Sequence, residues 1–315
     1  MTPGSYPPEV PPDYYTPPIF PPEIIPVDFI PPVVPVTAPV EQVEWTVNPN
    51  INARYKTWQA YKAIRDQVVR WGVTNAATYI ESAILEWNSN TSIHGHFDRN
   101  FDGDPHRSYL NLKRLYQAKG IADPASYFNT NIVSITFFNR TTSGHRNLQT
   151  ALNTAQTNLT AAGHTFTLDR GTWSFVPRTF NANINRLSNH ALGKAIDINP
   201  ANNPHITSAD EILVIDAVCS TILTDGLLRE ANPNVLINAS IHFQQTFNDA
   251  WVAQQTQPRL LSAIKKKRAK LNEYAIHGFL NLPVTLIAGL QSADLNWGGS
   301  WSSAKDFMHF ELPNS

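Results

Sequence analysis

The spacing of apolar positions changes several times along the chain, and the changes mark the elements. Trp58, Tyr61, Ile64, Val68 and Trp71 recur at helical spacing and stop at Gly72, and Ile80, Ile84 and Trp87 repeat the pattern after Asn75. Residues 53–88 therefore predict two short helices, because a 3.6-residue period puts positions three and four apart on one face. An aromatic stripe of this kind serves a core more often than a carbohydrate platform. Leu110, Leu112, Leu115 and Tyr116 predict a further helix closed by Gly120, and Leu148, Leu152, Ala155 and Leu159 another ended by Gly163. Ile132–Phe138 and His164–Leu168 read as strands. Ser208-Ala-Asp-Glu211 has the form of a capping box and opens a helix through Ile222. Two more helices are expected near residues 241–255 and 258–277, and a short one within Leu282–Leu290. Helices and strands that follow one another without regular alternation predict an α+β fold: a small, mainly antiparallel sheet flanked by helices, with a helical insertion after Asp197.

The first 44 residues are different material. Fourteen of the 24 prolines lie within the first 40 positions. Proline fixes φ and removes a donor, so neither helix nor sheet is expected to run there, and an extended arm is. Tyr6, Tyr14, Tyr15, Phe20 and Phe29 make it more apolar than a solvated linker, and a strap docking on a partner, such as a phage-like or secretion particle, is the alternative to a spacer. Three regions follow: the arm over 1–44, a helical region over 45–130, and a domain over 131–315.

Two short stretches carry chemistry. From Lys194 to Asn199, Ala195 and Asp197 alternate with Ile196 and Ile198, which predicts a half-buried strand. Gly193 allows a sharp turn before it, and that turn can bring His190 over Asp197. Near the end of the chain Met308, Phe310 and Leu312 alternate with His309 and Glu311, a second half-buried strand, with Asp306 at its entry. Catalytic zinc takes three protein ligands and keeps the fourth position open. His190, Asp197 and His309 would be those ligands and Asp306 the base, with Glu311, on the same face as His309, competing for that role. A third stretch, Asp98-Arg-Asn100-Phe-Asp102-Gly103, matches the first half of a calcium loop. Tyr109 stands where an EF-hand needs its glutamate, so a solvated turn competes with Ca2+ binding at Asp98, Asn100 and Asp102. His94-Gly-His96 is a weaker candidate for another metal site.

The combination Ser188-x-His190-x-x-Gly193-x-Ala195-x-Asp197, followed far downstream by Asp306-x-Met308-His309-Phe310-Glu311, resembles the zinc D-Ala-D-Ala carboxypeptidase and L-alanyl-D-glutamate endopeptidase family, to which many phage endolysins belong. The resemblance runs from about residue 132 to 312 and takes in Phe175-Val-Pro-Arg178 and Leu295-Asn-Trp297-Gly298-Gly299-Ser-Trp301. It implies a zinc peptidase acting on peptidoglycan stem peptides, with His190, Asp197 and His309 on the zinc and Asp306 as base. It also implies that Arg178 polarises the scissile carbonyl. The ending is closer to the endopeptidase branch, although the residues do not decide between the two bonds. A wall-binding or particle component that kept the fold without the activity is the alternative.

Composition adds exclusions. A net charge of −1 suggests neither nucleic acid nor an anionic membrane as main partner, and no apolar run approaches the length of a membrane span. The start lacks the basic and apolar regions of a signal peptide, so the expected route is synthesis in the cytoplasm and access to the wall after lysis or by non-classical export. The single cysteine, Cys219, lies in an apolar helical pattern and cannot form a disulfide within the chain; a buried inert thiol is expected. Lys265-Lys-Lys-Arg268 reads as a solvated helix face, with contact to an anionic cell wall as the sharper option.

Overall fold

The computed structural model describes residues 40–97, 104–180, 183–220, 258–277 and 280–313. The proline-rich arm before residue 40, the candidate calcium residues Asp98, Asn100 and Asp102, the helix expected near 241–255 and the Cys219 side chain lie outside the described residues.

Helix α1 (Val40–Val47) follows Pro39, the last proline of the arm in the sequence, and occupies the last five positions of the expected arm. Past that proline, consecutive residues again supply the N–H groups a helix needs. α2 (Pro49–Tyr55), α3 (Trp58–Arg70), α4 (Ala76–Ser89), α5 (His94–Phe97), α6 (Pro105–Ala118) and α7 (Pro124–Asn131) complete a helical region. α2, α6 and α7 start alike: Asn48, Asp104 or Asp123 accepts from two backbone N–H groups, and a proline takes the first helical position. α3 and α4 are the two predicted helices. Tyr61, Ile64, Val68, Ile80 and Ile84 are buried, so the stripe is core.

β1 (Ile132–Phe137) and β2 (Arg140–His145) form an antiparallel hairpin on which α8 (Arg146–Ala161) packs. The expected strand over His164–Leu168 is absent. Asn139 Oδ1 accepts from the Leu168 N–H at 2.7 Å, and Arg140 Nε donates to the Leu168 carbonyl at 2.7 Å. Side chains thus satisfy backbone groups that a partner strand would otherwise pair.

The remaining elements surround the second chemical region. β3 (Thr179–Phe180) and β4 (Asn183–Leu187) make a short ribbon. β5 (Ala195–Asp197) and β6 (His205–Ile206) precede α9 (Ala209–Ser220), α10 (Pro258–His277) and α11 (Val284–Ser292). β7 (Asn296–Trp297), β8 (Lys305–Asp306) and β9 (His309–Glu311) close the fold. The central sheet is antiparallel in the order β5-β9-β7, with Asp197 opposite His309, Ala195 opposite Glu311 and Trp297 opposite Phe310. β6 and β8 pair separately. The molecule is α+β.

β5 departs from its expected half-burial. Ile196 and Ile198 enter the core, but Ala195 and Asp197 on the other face are buried too, because the site covers them. The capping box at α9 is formed on its serine side, where Ser208 Oγ accepts from the Glu211 N–H at 3.4 Å. The basic run on α10 is not simply solvated: Lys266 and Lys267 lie 3.6 and 3.3 Å from Asp210 and Glu211 in the first turn of α9.

Two apolar clusters result. One joins Ile135, Leu152, Ile196, Ile215, Ile264, Leu290 and Phe310, so α9 and α10 share the core of the sheet. The other fills the helical region and continues into Phe175, Leu187, Ala191 and Leu192. Phe310 is fully buried at the middle of the central strand. Phe310→Ala should cost about 3–5 kcal/mol, read as a lowered denaturation midpoint at unchanged slope.

Candidate metal centre

The segment bearing His190 is a 3-10 turn over Asn189–Leu192. Ser188 Oγ accepts from the His190 N–H at 3.3 Å, and Gly193 ends the turn with φ of +65°. A side chain at 193 would also meet the Ile132 side chain at 2.6 Å and the His145 nitrogen at 2.8 Å, so glycine is required twice over. The helical region holds this turn from behind: Tyr116 Oη donates to the Ala191 carbonyl at 2.5 Å and Tyr127 Oη to the Leu192 carbonyl at 2.8 Å.

His309 comes from β9, opposite Asp197 on β5. His190 Nε2, His309 Nδ1 and Asp197 Oδ1 form a small triangle with sides of 3.1, 3.0 and 3.2 Å. The outward nitrogens are engaged elsewhere, since His190 Nδ1 donates to the Ser174 carbonyl at 2.7 Å and His309 Nε2 to Glu311 Oε2 at 2.9 Å. In neutral rings those two contacts leave the inward nitrogens as lone pairs. Two lone pairs and a carboxylate oxygen then face one point, an arrangement that repels itself unless a metal ion, or a proton held between His309 and Asp197, occupies it. Four-coordinate zinc, with ligands about 2.0–2.1 Å away, has donor–donor edges of roughly 3.3 Å. The residues present therefore fit such an ion. Among the described residues this is the one cluster of three or more His, Cys, Asp or Glu side chains whose ligand atoms converge so closely.

The electrostatics agree with a site built for positive charge. Burial alone would raise the Asp197 carboxyl, but His190 and His309 outweigh it and hold that group well below the usual carboxylate range. Burial would lower His309, yet its bonds to Asp197 and Glu311 push it up to about 9. Asp306 moves the other way: burial raises it, against the pull of His309. Its Oδ1 is buried and makes no hydrogen bond. It sits on β8, separated from β9 by the two-residue turn Phe307–Met308, rather than on the same strand as His309.

Glu311 does not stand beside Asp306 as a second base. Its Oε2 lies behind the His309 ring and also accepts from Asn189 Nδ2 at 2.6 Å. Arg178 places its guanidinium 5.2 Å from the Trp173 ring, and that ring lies 4.2 Å from the ring of His190. Arg178 is thus one indole away from a ligand. Among the weaker candidates, His94 stacks on Trp87 at 3.9 Å while His96 meets Phe175 edge-on at 5.0 Å, so the two imidazoles serve separate aromatic contacts.

Ser174 and His205 had no signal of their own in the sequence, while Trp301, Gly298 and Gly299 belong to the downstream stretch of the resemblance, which gave them no role. Ser174 acts through its backbone carbonyl, and His205 lies opposite Asp306 in the β6–β8 ladder. Trp301 brings its ring 5.3 Å from His309. The Gly298-Gly299 pair is compulsory. A side chain at 298 would fall 2.5 Å from the Asp306 carbonyl oxygen, and one at 299 would strike the Trp297 ring. Trp297 Nε1 in turn donates to the Phe307 carbonyl at 2.9 Å, fixing the turn between Asp306 and His309.

Fold and site together define an α+β protein with a buried two-histidine, one-aspartate centre that can hold a metal ion. No protein family, curated protein or solved structure matches the chain. No helix among the described residues is long and apolar enough to cross a membrane.

Proposed function

We propose that the chain is a zinc-dependent peptidase that hydrolyses peptidoglycan stem peptides, at an L-Ala–D-Glu or a D-Ala–D-Ala bond. The observation that carries this is the pairing of a converging ligand triangle with a second, half-buried carboxylate whose Oδ1 makes no hydrogen bond: His190, Asp197 and His309 on one side, Asp306 on the other. A purely structural metal site saturates its ligands and has no use for such a carboxylate. The peptidoglycan substrate rests on the resemblance of the two motifs.

Zinc held by the three ligands would supply Lewis acidity, which acidifies water and draws charge from a carbonyl. Asp306, its pKa raised by burial, takes a proton as the water oxygen bonds to the amide carbon. It then gives that proton to the leaving nitrogen as the C–N bond breaks. Arg178 donates to the carbonyl oxygen while negative charge builds there. Trp173 and Trp301 flank the two histidines and shield their rings from water on those sides.

Metal content and digestion of purified peptidoglycan, measured on one preparation with and without chelator, test this. About one zinc per chain is expected, with new amino termini that vanish on chelation and identify the bond. Bound zinc without new termini would remove the peptidase assignment and leave the metal site. Absence of zinc would remove both.

A further inference from the structure

We propose that Glu311 is a positioning residue for the metal: it selects the nitrogen that His309 turns inward and, through Asn189, ties the two histidine-bearing segments together. This rests on the metal site and not on the peptidase activity.

The geometry is specific. A carboxylate can only accept, so the 2.9 Å contact from His309 Nε2 to Glu311 Oε2 requires the proton on Nε2. With that proton held on Nε2, Nδ1 is the nitrogen that can give its lone pair to an ion, and it is Nδ1 that lies 3.1 Å from His190 Nε2 and 3.0 Å from Asp197 Oδ1. Remove the carboxylate and either nitrogen can carry the proton, so part of the population presents an N–H to the ion. The same oxygen accepts from Asn189 Nδ2 at 2.6 Å. Asn189 adjoins His190 on the 3-10 turn, whereas Glu311 adjoins His309 by one residue on β9. One oxygen thus couples ligand segments that the sequence separates by 122 positions.

The sheet makes room for this. Glu311 and His309 share a face of β9, and the residue opposite Glu311 on β5 is Ala195. A larger residue at 195 would take the space in which the glutamate turns back toward the imidazole. This gives a physical meaning to the alanine of the first motif and the final glutamate of the second: they are partners across one rung.

Zinc affinity of the full chain, measured by competition with a chromophoric chelator, tests the proposal. Loss of a ligand's outer partner typically lowers metal affinity 10–100-fold, and Glu311→Ala should fall in that range. Glu311→Gln keeps an acceptor oxygen and should lose about tenfold or less. Asn189→Ala should weaken binding modestly, and the double variant Asn189→Ala/Glu311→Ala should be no weaker than Glu311→Ala, because Asn189 acts through the glutamate. Long-range proton–nitrogen NMR of the zinc-loaded parent should place the remaining His309 proton on Nε2, a readout that a merely structural role would not move. Parent-like affinity in Glu311→Ala, or additive losses in the double variant, overturns the proposal. A parent that binds no zinc overturns it together with the metal site. A parent that binds zinc but cuts nothing sinks the peptidase assignment alone.

Discussion

Asp306→Asn is expected to lower the rate of peptidoglycan cleavage by about 10²–10⁴-fold while zinc content stays at the parent level. Asparagine has nearly the same shape but cannot hold the proton that must pass from water to the leaving nitrogen. Asp306 is not one of the three converging ligands, so the metal has no reason to leave. The loss should appear in kcat, with KM little changed, because proton transfer matters in the transition state and not in binding. The folded state should not suffer. Asp306 Oδ1 is buried without a hydrogen bond, and exchanging a charged, unsatisfied group for a neutral one relieves a desolvation cost. The denaturation midpoint of Asp306→Asn should therefore equal or exceed that of the parent. Activity within a few-fold of the parent would mean that the base is another group.

Gly298→Ala is the second large effect, and it enters through the backbone. The new methyl carbon would lie 2.5 Å from the Asp306 carbonyl oxygen, 2.9 Å from the Asp306 Cβ and 3.2 Å from the His309 Cβ. The first of these is main chain within the β6–β8 ladder, so it cannot step aside as a side-chain tip would. Either Asp306 and His309 shift together or the Trp297–Gly299 turn opens. Displacements of about 1 Å at a reacting centre cost on the order of 10²-fold in rate. Both kcat and zinc affinity should fall, which separates this variant from Asp306→Asn, where the metal is kept. Parallel loss of rate and metal, measured on the same preparations, is the expected pair of results. Unchanged zinc affinity with a normal rate would show that the turn does not position the site.

Most of the helical scaffold could be anticipated from the chain because apolar stripes report a helix locally. α3 and α4 follow from Tyr61, Val68, Ile80 and Ile84, and α10 spans the expected 258–277. β2 could not be anticipated, since Arg140-Thr-Thr-Ser-Gly-His145 has no apolar residue to alternate; only the register with β1 makes it a strand. His164–Leu168 misled for the opposite reason. It alternates, but Asn139 and Arg140 take its backbone groups, and those contacts leave no local trace. The site divides in the same way. His190, Asp197 and His309 were legible as spaced motifs, whereas Ser174 and Asn189 gain meaning only from residues elsewhere in the chain, and Gly298, quoted within a motif, only from its close approach to the Asp306 backbone. Glu311 could be noticed but not understood: its face could be read from alternation, but which side of His309 it approaches could not.

The hydroxyls of Tyr116 and Tyr127 set where the protein can be divided. Every proposed ligand and the base lie beyond residue 131, so a fragment starting there would carry the whole motif on paper. It would also leave the carbonyls of Ala191 and Leu192 without their donors, and Leu187 and Phe175 without the helices that cover them. The turn that presents His190 is in this sense owned by the amino-terminal half. The minimal excisable unit is therefore fixed not by the residues that touch the ion but by the two phenols that hold up the backbone beneath one of them.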